Sequence, residues 1–391
     1  YKGGSEIMHH FIYATKDAWI SSGSNAATTG ISEKDQNYGK DQILEIKKNF
    51  YNDSFDYPTR ALIDFSGTEF TEMSKSIVDG TITNPKFYLR LYEAEGTTEL
   101  SPTRYTLDFK PISQSWQEGS GKFGDNPKVT NGVSWENRSN PMGGNALTWS
   151  NADGTPSHGC SVFNVSSSKQ VFSNQSPDVE VDITDMTKSW LSGSGQDGGF
   201  GNYGVLARFS GSTETDETTT GQLKFFSTET HTIYAPRLEV KWDDVTTCSG
   251  DNTGSMVELN VTGSVDNYVY PIGLKESYHK DERGKFKFGV RKRYIQKTFS
   301  ESVQTVTGSY IPAGSGSYSI VDLATGETVV PFKDIDDNSY TSLGCDGEYN
   351  YFNQWLSGFE TNRYYKILIK VKYDDKQEII YDDDFEFKVV N

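Results

Sequence analysis

Hydrophobic and polar residues alternate with a period of two along much of this chain. In RALIDF, Ala61, Ile63 and Phe65 take every second position, with Arg60 before the first and Asp64 before the last. The pattern recurs in KFYLRLYEA (86–94), YTLDFK (105–110), RLEVKW (237–242), KFKFGV (285–290), YYKILIKVKY (364–373) and DFEFKVV (384–390). Because successive side chains of a β-strand point to opposite faces of its sheet, we predict antiparallel strands with one face in a core and the other in solvent.

Two short segments have the apolar spacing of helices instead. In VDITDMTKSWLSG (181–193), Thr184 or Asp185 can cap the first turn and Gly193 ends the helix. The segment YNYFNQWLSGF (349–359) has a similar pattern before its glycine. Long loops are expected at Ser21–Asn37, Gly119–Gly159 and Gly211–Gly221. The prediction is an all-β chain with little helix.

The length of 391 residues favours two domains. The polar stretch DDVTTCSGDNTGS lacks periodicity and contains glycine, which places a boundary near Gly250. We therefore predict a first domain over residues 1–243, a linker over 244–256 and a second domain over 257–391. An aromatic content of 13% and 37 glycines are typical of β-sandwiches.

The charge balance argues against several partners. Lys and Arg number 37 against 54 Asp and Glu, which gives a net charge of −17, so the chain as a whole repels nucleic acids and anionic membranes. No window of eighteen apolar residues occurs, and the first residues lack the pattern of a signal peptide. We expect a soluble chain, and the sequence leaves its export open.

The three cysteines are widely spaced. An odd number at these spacings indicates neither a disulfide framework nor a paired zinc motif, so we expect Cys160, Cys248 and Cys345 to be isolated thiols. A zinc site built from His158, Cys160 and either His231 or Cys248 is the weaker alternative, because close ligand pairs are missing.

Catalytic motifs are not evident in the sequence. Residues 119–124 match G-x-G-x-x-G, but Asp125-Asn126-Pro127 follows where a nucleotide-binding helix should begin. No G-x-S-x-G motif occurs. The abundant carboxylates permit a polysaccharide-cleaving enzyme as a third hypothesis, but acidic runs such as residues 382–384 are interpreted as solvated turns. We predict no catalytic residue, cofactor or metal.

Two features are candidates for binding. Trp135 and Trp149 lie in the long Gly119–Gly159 loop, beside Trp116, and exposed indole rings can stack on sugars. The favoured alternative is that these rings attach the loop to the sandwich, because large aromatic side chains are usually buried. The segment KDERGKFKFGVRKRY (280–294) is basic and is predicted to form the solvent face of a strand that meets an acidic neighbour.

Several segments of the first domain match a known pattern in the right order. They are DAWISSGS (17–24), NYGKDQILEI (37–46), PTRALIDF (58–65), SWQEG (115–119), VDITDMTKSWLSG (181–193), NYGVLARFSG (202–211), LKFFSTET (223–230) and APRLEVKW (235–242). Residues 9–243 thus resemble the DNRLRE-type β-sandwich domain. The resemblance implies an antiparallel, jelly-roll-like sandwich of bacterial surface proteins, without catalysis and with sugar binding in some members. The insert between Ser115 and Gln170 departs from that pattern, so no sugar-binding residue is transferred.

The second domain carries a different resemblance. The segments TGSYIPAGSGSYSIVDLATGETVVPF (307–332) and YNYFNQWLSGFETNRYYKILIKV (349–371) are similar to the C-terminal region of virion structural proteins from tailed (T4-like) bacteriophages. We predict a smaller, Ig-like β-sandwich here. The resemblance implies a non-enzymatic virion component of a neck, tail or baseplate, whose partners are other virion proteins or further copies of the chain. The alternative is a carbohydrate-binding adhesion module on a cell surface or a phage receptor-binding protein, with a glycan as its partner.

Overall fold

The chain folds almost entirely into β-structure. A computed structural model describes residues 8–25, 31–48, 58–95, 104–173, 178–193, 198–216, 220–242, 246–262, 266–294, 299, 307–332, 340–373 and 377–391. Strands account for 45% and helices for 9%, and the sheets are mostly antiparallel. The predicted all-β sandwich architecture is confirmed.

The chain divides into two compact units. The N-terminal unit comprises Ile12–Lys75 and Lys86–Glu239, and the C-terminal unit comprises Val240–Asn391 with Ser76–Pro85 and the residues up to Phe11. The domain bounds proposed from the sequence stay a prediction.

Within the described ranges, seventeen strands precede the predicted linker. They are β1 (Met8–Tyr13), β2 (Lys16–Ser21), β3 (Ser24–Asn25), β4 (Ile31–Ser32), β5 (Ile43–Lys48), β6 (Thr59–Asp64), β7 (Lys86–Leu91), β8 (Glu93–Glu95), β9 (Arg104–Pro111), β10 (Asn137–Ser139), β11 (Leu147–Ser150), β12 (Pro156–Ser157), β13 (Ser168–Ser173), β14 (Val179–Asp182), β15 (Val205–Phe209), β16 (Gly221–Phe226) and β17 (Arg237–Trp242). The helices are α1 (Thr68–Val78), α2 (Thr184–Ser192) and α3 (Gly211–Thr215). None of the helices in the described ranges is long and apolar enough to cross a membrane.

Five sheets organise these strands. Their orders are β13-β9-β15-β6-β2, β1-β17-β7-β14, β5-β16-β8, β10-β11-β12 and β3-β4. The predicted strands in segments 60–65, 86–94, 105–110 and 237–242 are all present. The last of these departs from the predicted pattern, because all six residues of β17 are buried. β17 lies between β1 and β7, and the buried Glu239 is paired with Arg90 at 2.7 Å, so the alternation of charge there does not mark a solvent face.

The insert between β9 and β13 forms a small hydrophobic core on one face of the five-stranded sheet; we call it the second small core, since it is separate from the core between sheets. Its members are Ala18, Ile20, Leu62 and Leu206 from the sheet, with Ile112, Trp116, Val133, Trp149 and Cys160 from the insert or its edge. The insert therefore covers the outer face of this sheet. As a result, side chains on both faces of β6 are buried.

Helix α2 was predicted correctly, but its cap was not. Its first backbone amide, that of Thr184, donates to Asp182 Oδ1 at 2.8 Å. The Thr184 hydroxyl instead accepts a hydrogen bond from the amide of Phe87 in β7. The helix ends before Gly193, which has a φ of 73°, a conformation that favours glycine.

The described part of the C-terminal sandwich has twelve strands. They are β18 (Val257–Glu258), β19 (Asn267–Ile272), β20 (Ser277–His279), β21 (Arg283–Lys292), β22 (Ser309–Tyr310), β23 (Gly316–Asp322), β24 (Thr328–Val330), β25 (Gly344–Cys345), β26 (Asn350–Trp355), β27 (Arg363–Tyr373), β28 (Gln377–Tyr381) and β29 (Glu386–Val390). A short 3₁₀ helix spans Gly250–Thr253. One sheet has the order β18-β22-β21-β26-β25 with β19 on β21, and the other has the order β20-β29-β27-β23-β24 with β28 on β27. Aromatic and aliphatic side chains from both sheets enclose one core.

The helix predicted over 349–359 is wrong, because residues Asn350–Trp355 form strand β26. This strand pairs antiparallel with β21 and sets Phe352 opposite Phe286. Phe352 also stacks on Tyr318 with ring centroids 3.7 Å apart. Long-range pairing and core burial outweigh the local helical spacing.

The expectation of three isolated thiols is wrong for two of them. Cys248 and Cys345 form a disulfide across a sequence separation of 97, and Cys160 is free and buried as expected. The residues before Cys248 run beside β25, where the Cys345 amide donates to the Thr246 carbonyl at 3.3 Å. The described part of the predicted linker is thus attached to the C-terminal sandwich.

Candidate functional site

Strand β21 presents a row of positive charges on the outer face of its sheet. Its apolar side chains, Phe286, Phe288 and Val290, are buried in the sandwich core. Its cationic residues point the other way and are exposed or half-buried; these are Arg283, Lys285, Lys287 and Arg291. Lys292 and Arg293 follow at the end of the strand, and residues 283–293 contain no acidic side chain. The predicted solvent-facing basic strand is confirmed.

Aromatic rings from the neighbouring strands lie beneath or beside these cations. The Lys285 ammonium lies 4.0 Å from the centroid of Tyr351 in β26, and the Lys287 ammonium lies 4.7 Å from that of Tyr349. Towards the other end of β21, the Arg291 guanidinium lies 5.0 Å from the ring of Tyr268 in β19. Cation–π contacts of this kind hold flexible side chains in place while leaving their charge at the surface.

The same arrangement continues to the start of the strand. The Arg283 guanidinium lies 5.9 Å from the ring of Trp355, which remains 37% exposed. Partial desolvation lowers the pKa of Arg283, and Tyr351 opposes this effect. We call these residues of β19, β21, β26 and Tyr349 the cationic–aromatic face.

Gly289 allows the Tyr270 ring to pack closely against β21 at the centre of this face. A Cβ atom added to Gly289 would lie 2.3 Å from the Tyr270 ring, so only glycine lets that ring rest on β21. Tyr270 also stacks on Tyr268 with ring centroids 5.8 Å apart. The two tyrosines are therefore fixed by the strand beneath them.

The positive charge of the face is largely unneutralised within the described ranges. Lys285 forms an ion pair of 2.8 Å with Asp346, whereas Lys287 and Arg291 form none with other described residues. Six cations lie within residues 283–293, so the rest of this chain of net charge −17 carries −23. The face is a local positive patch on a strongly negative protein.

The tryptophans predicted as weak binding candidates occupy different positions. Trp149 is fully buried, and its indole nitrogen donates to the Ser134 carbonyl at 3.0 Å. Trp135 is half-buried, with the Arg60 guanidinium 4.6 Å from its ring centroid. Trp149 therefore has no exposed ring in this structure and attaches its loop to the sheet, while sugar binding by either tryptophan stays a prediction.

The glycine motif at residues 119–124 also has a structural role. Asn37 Oδ1 accepts a hydrogen bond of 2.8 Å from the Gly121 amide, and Asn37 Nδ2 donates to the carbonyls of Glu118 and Val133. A Cβ atom at Gly119 would lie 2.3 Å from the Asn37 side chain. These glycines admit the buried asparagine that organises the loop.

The alternative zinc ligands do not assemble. Cys248 is in the disulfide, and burial raises the pKa of the Cys160 thiol, which lies inside the second small core. The described ranges contain no group of three histidine, cysteine or acidic residues placed to hold a metal.

A buried carboxyl group lies in the N-terminal unit. Asp17 in β2 is almost completely buried, and its Oδ2 accepts a hydrogen bond of 2.7 Å from the Thr228 amide. Burial raises the pKa of Asp17 to about 7, and the carboxylates of Glu118 and Glu229 add to the increase. Lys40 bridges those two carboxylates.

Replacing Asp17 with asparagine is expected to stabilise the protein at high pH only. A carboxyl group with a raised pKa binds its proton more tightly in the folded chain, so the native state loses stability as the pH rises from about 4 to about 7. Asp17→Asn should change the free energy of unfolding little near pH 4 and increase it above pH 7. Urea unfolding at both pH values measures this, with the exposed Asp185→Asn as control; equal effects at both pH values would contradict it.

No family model and no curated protein matches the chain.

Proposed function

We propose that the protein is a non-enzymatic structural component of a bacteriophage particle that attaches to an acidic protein surface through its cationic–aromatic face. The observation that supports this proposal is the row of cations on β21, each supported by an aromatic ring, on a chain that is otherwise strongly negative. Tyrosine, tryptophan and arginine are the residues most enriched where protein partners meet.

The charge pattern favours an acidic protein over a nucleic acid. A long polyanion that extends beyond the face would meet the −23 charges of the remaining chain. A folded partner can place an acidic patch on the face alone, and complementary charge then sets its orientation and speeds its association.

The dimensions of the face indicate how it would be used. Ten residues of β21 extend about 33 Å, and the three strands β19, β21 and β26 are together about 15 Å wide, which gives an area of roughly 500 Å². Stable interfaces bury about 800 Å² on each partner, so one such contact alone is weak. Repetition of the contact in a particle would supply the avidity that a single copy lacks.

The face is tested with charge reversal. Binding of the full chain to an immobilised peptide of six glutamates, short enough to lie on the face alone, should fall more than about tenfold in the triple variant Lys285→Glu, Lys287→Glu and Arg291→Glu, and should weaken steeply with salt. The matched control reverses three exposed lysines elsewhere, Lys75, Lys122 and Lys188. An equal loss in both variants, or binding to heparin without binding to the glutamate peptide, would contradict an acidic protein partner.

The particle role is tested separately. Mass spectrometry of purified virions should detect the chain at several copies per particle. Its absence from particles, together with sedimentation as a monomer at all concentrations, would overturn the structural role whatever the face binds.

A further inference from the structure

A pocket of about 340 Å³ opens at one end of the C-terminal sandwich. It lies where the start of β19, the end of β21 and the end of β28 come together. Its polar lining consists of Asp266, Asn267, Arg293, Tyr381, Asp382 and Asp383, and two isoleucines of β28 complete the wall. This volume is at the lower end of the range of roughly 300–1,000 Å³ for small-molecule sites.

A chain of hydrogen bonds runs beneath this lining. Asn267 Nδ2 donates to the Tyr373 hydroxyl at 2.8 Å, and the hydroxyls of Tyr373 and Tyr381 are 2.7 Å apart. All three side chains are at least nine-tenths buried. These hydrogen bonds hold the pocket-lining Asn267 and Tyr381 in fixed positions.

The donors available limit the arrangement of these hydrogen bonds. The Asn267 amide nitrogen can only donate, so the Tyr373 oxygen accepts from it. The Tyr373 oxygen has a second acceptor position, so either hydroxyl of the Tyr373–Tyr381 pair can be the donor. In both arrangements the Tyr381 hydroxyl keeps a hydrogen-bonding position, as donor or as acceptor, for a group in the pocket that Tyr381 lines.

The remaining lining groups define the chemistry of a ligand. Arg293 offers donors, whereas Asp266, Asp382 and Asp383 offer acceptors. Three carboxylates beside one guanidinium disfavour an anion, and the ion pair of Asp382 with Lys366 reduces the attraction for a cation. Hydroxyl groups both donate and accept hydrogen bonds, and the isoleucines can contact the C–H face of a sugar ring.

We infer that this pocket binds a neutral polyhydroxyl ligand of about the size of one sugar ring, with the Tyr381 hydroxyl hydrogen-bonded to one ligand hydroxyl and Asp383 accepting from another. The inference is independent of the proposed assembly role, because the four outward cations of β21 and their aromatic rings do not line the pocket, and Arg293, which does, follows the end of the strand.

Saturation-transfer NMR of the full chain with D-glucose, D-galactose, D-mannose and glycerol tests this inference. At least one of these probes should bind saturably. Tyr381→Phe removes only the terminal hydroxyl and should weaken that probe about fivefold to tenfold. Asp383→Asn should weaken it similarly, and because Asp383 is exposed this variant leaves the core unchanged. Tyr310→Phe, which removes an exposed hydroxyl bonded to Glu258, is the matched control and should bind as the unmodified chain does.

Three results would overturn the inference. They are the absence of binding by all four neutral probes, binding of only inorganic sulfate or spermidine, and equal affinity of the Tyr381→Phe, Asp383→Asn and Tyr310→Phe variants. Unfolding curves for each variant ensure that a weaker interaction reflects the pocket and not a loss of fold.

Discussion

Replacing Cys345 with serine is expected to lower the free energy of unfolding of the C-terminal unit by roughly 2–5 kcal/mol. The bond between Cys248 and Cys345 closes a loop with a sequence separation of 97, and a cross-link of that length removes much of the conformational freedom of the unfolded chain. Urea unfolding followed by tyrosine and tryptophan fluorescence measures the change.

The surroundings of the disulfide add to this effect. Asn350 Nδ2 lies 3.2 Å from Cys345 Sγ and also donates to the carbonyls of Ile311 and Gly344. Its Oδ1 accepts from the Ile311 amide at 2.8 Å, so the buried asparagine joins three segments around the bond.

Reduction provides the control for this prediction. Dithiothreitol should destabilise the unmodified chain by a similar amount and should leave the Cys345→Ser variant unchanged. If the reductant shifts both proteins equally, or neither, the disulfide does not stabilise the unit as described.

Replacing Trp149 with alanine is expected to lower the free energy of unfolding of the N-terminal unit by roughly 3–5 kcal/mol. The ring is fully buried between the insert and the five-stranded sheet, so its removal leaves a cavity and leaves the Ser134 carbonyl without the indole donor. Chemical unfolding of the full chain measures the loss.

Trp135→Ala is the matched comparison for this prediction. Trp135 belongs to the same loop but is only half-buried, so its loss should cost clearly less. A Trp149→Ala variant that keeps its stability but loses binding on a glycan array would contradict the buried role and restore the sugar-stacking hypothesis.

Part of the candidate site could be read from the sequence. The alternation in β21 predicted that Phe286 and Phe288 would be buried and that Lys285 and Lys287 would face outward. The face to which each side chain points depends only on its position along the strand. The rings of Tyr268 and Tyr351 could not be assigned to this face, because their positions depend on the register of β19 and β26 against β21. The pocket was not predicted, since it joins segments more than 100 residues apart.

The sequence by itself determined the all-β class, the positions of most strands and the exposed basic strand. These features follow from the alternation of apolar and polar residues within each short segment. Only the tertiary structure decided which charged strand is buried, which apparent helix is a strand and which cysteines pair. The pairs Glu239 with Arg90, Phe352 with Phe286 and Cys248 with Cys345 are separated by long stretches of chain. Their free energy comes from neighbours that local periodicity does not identify.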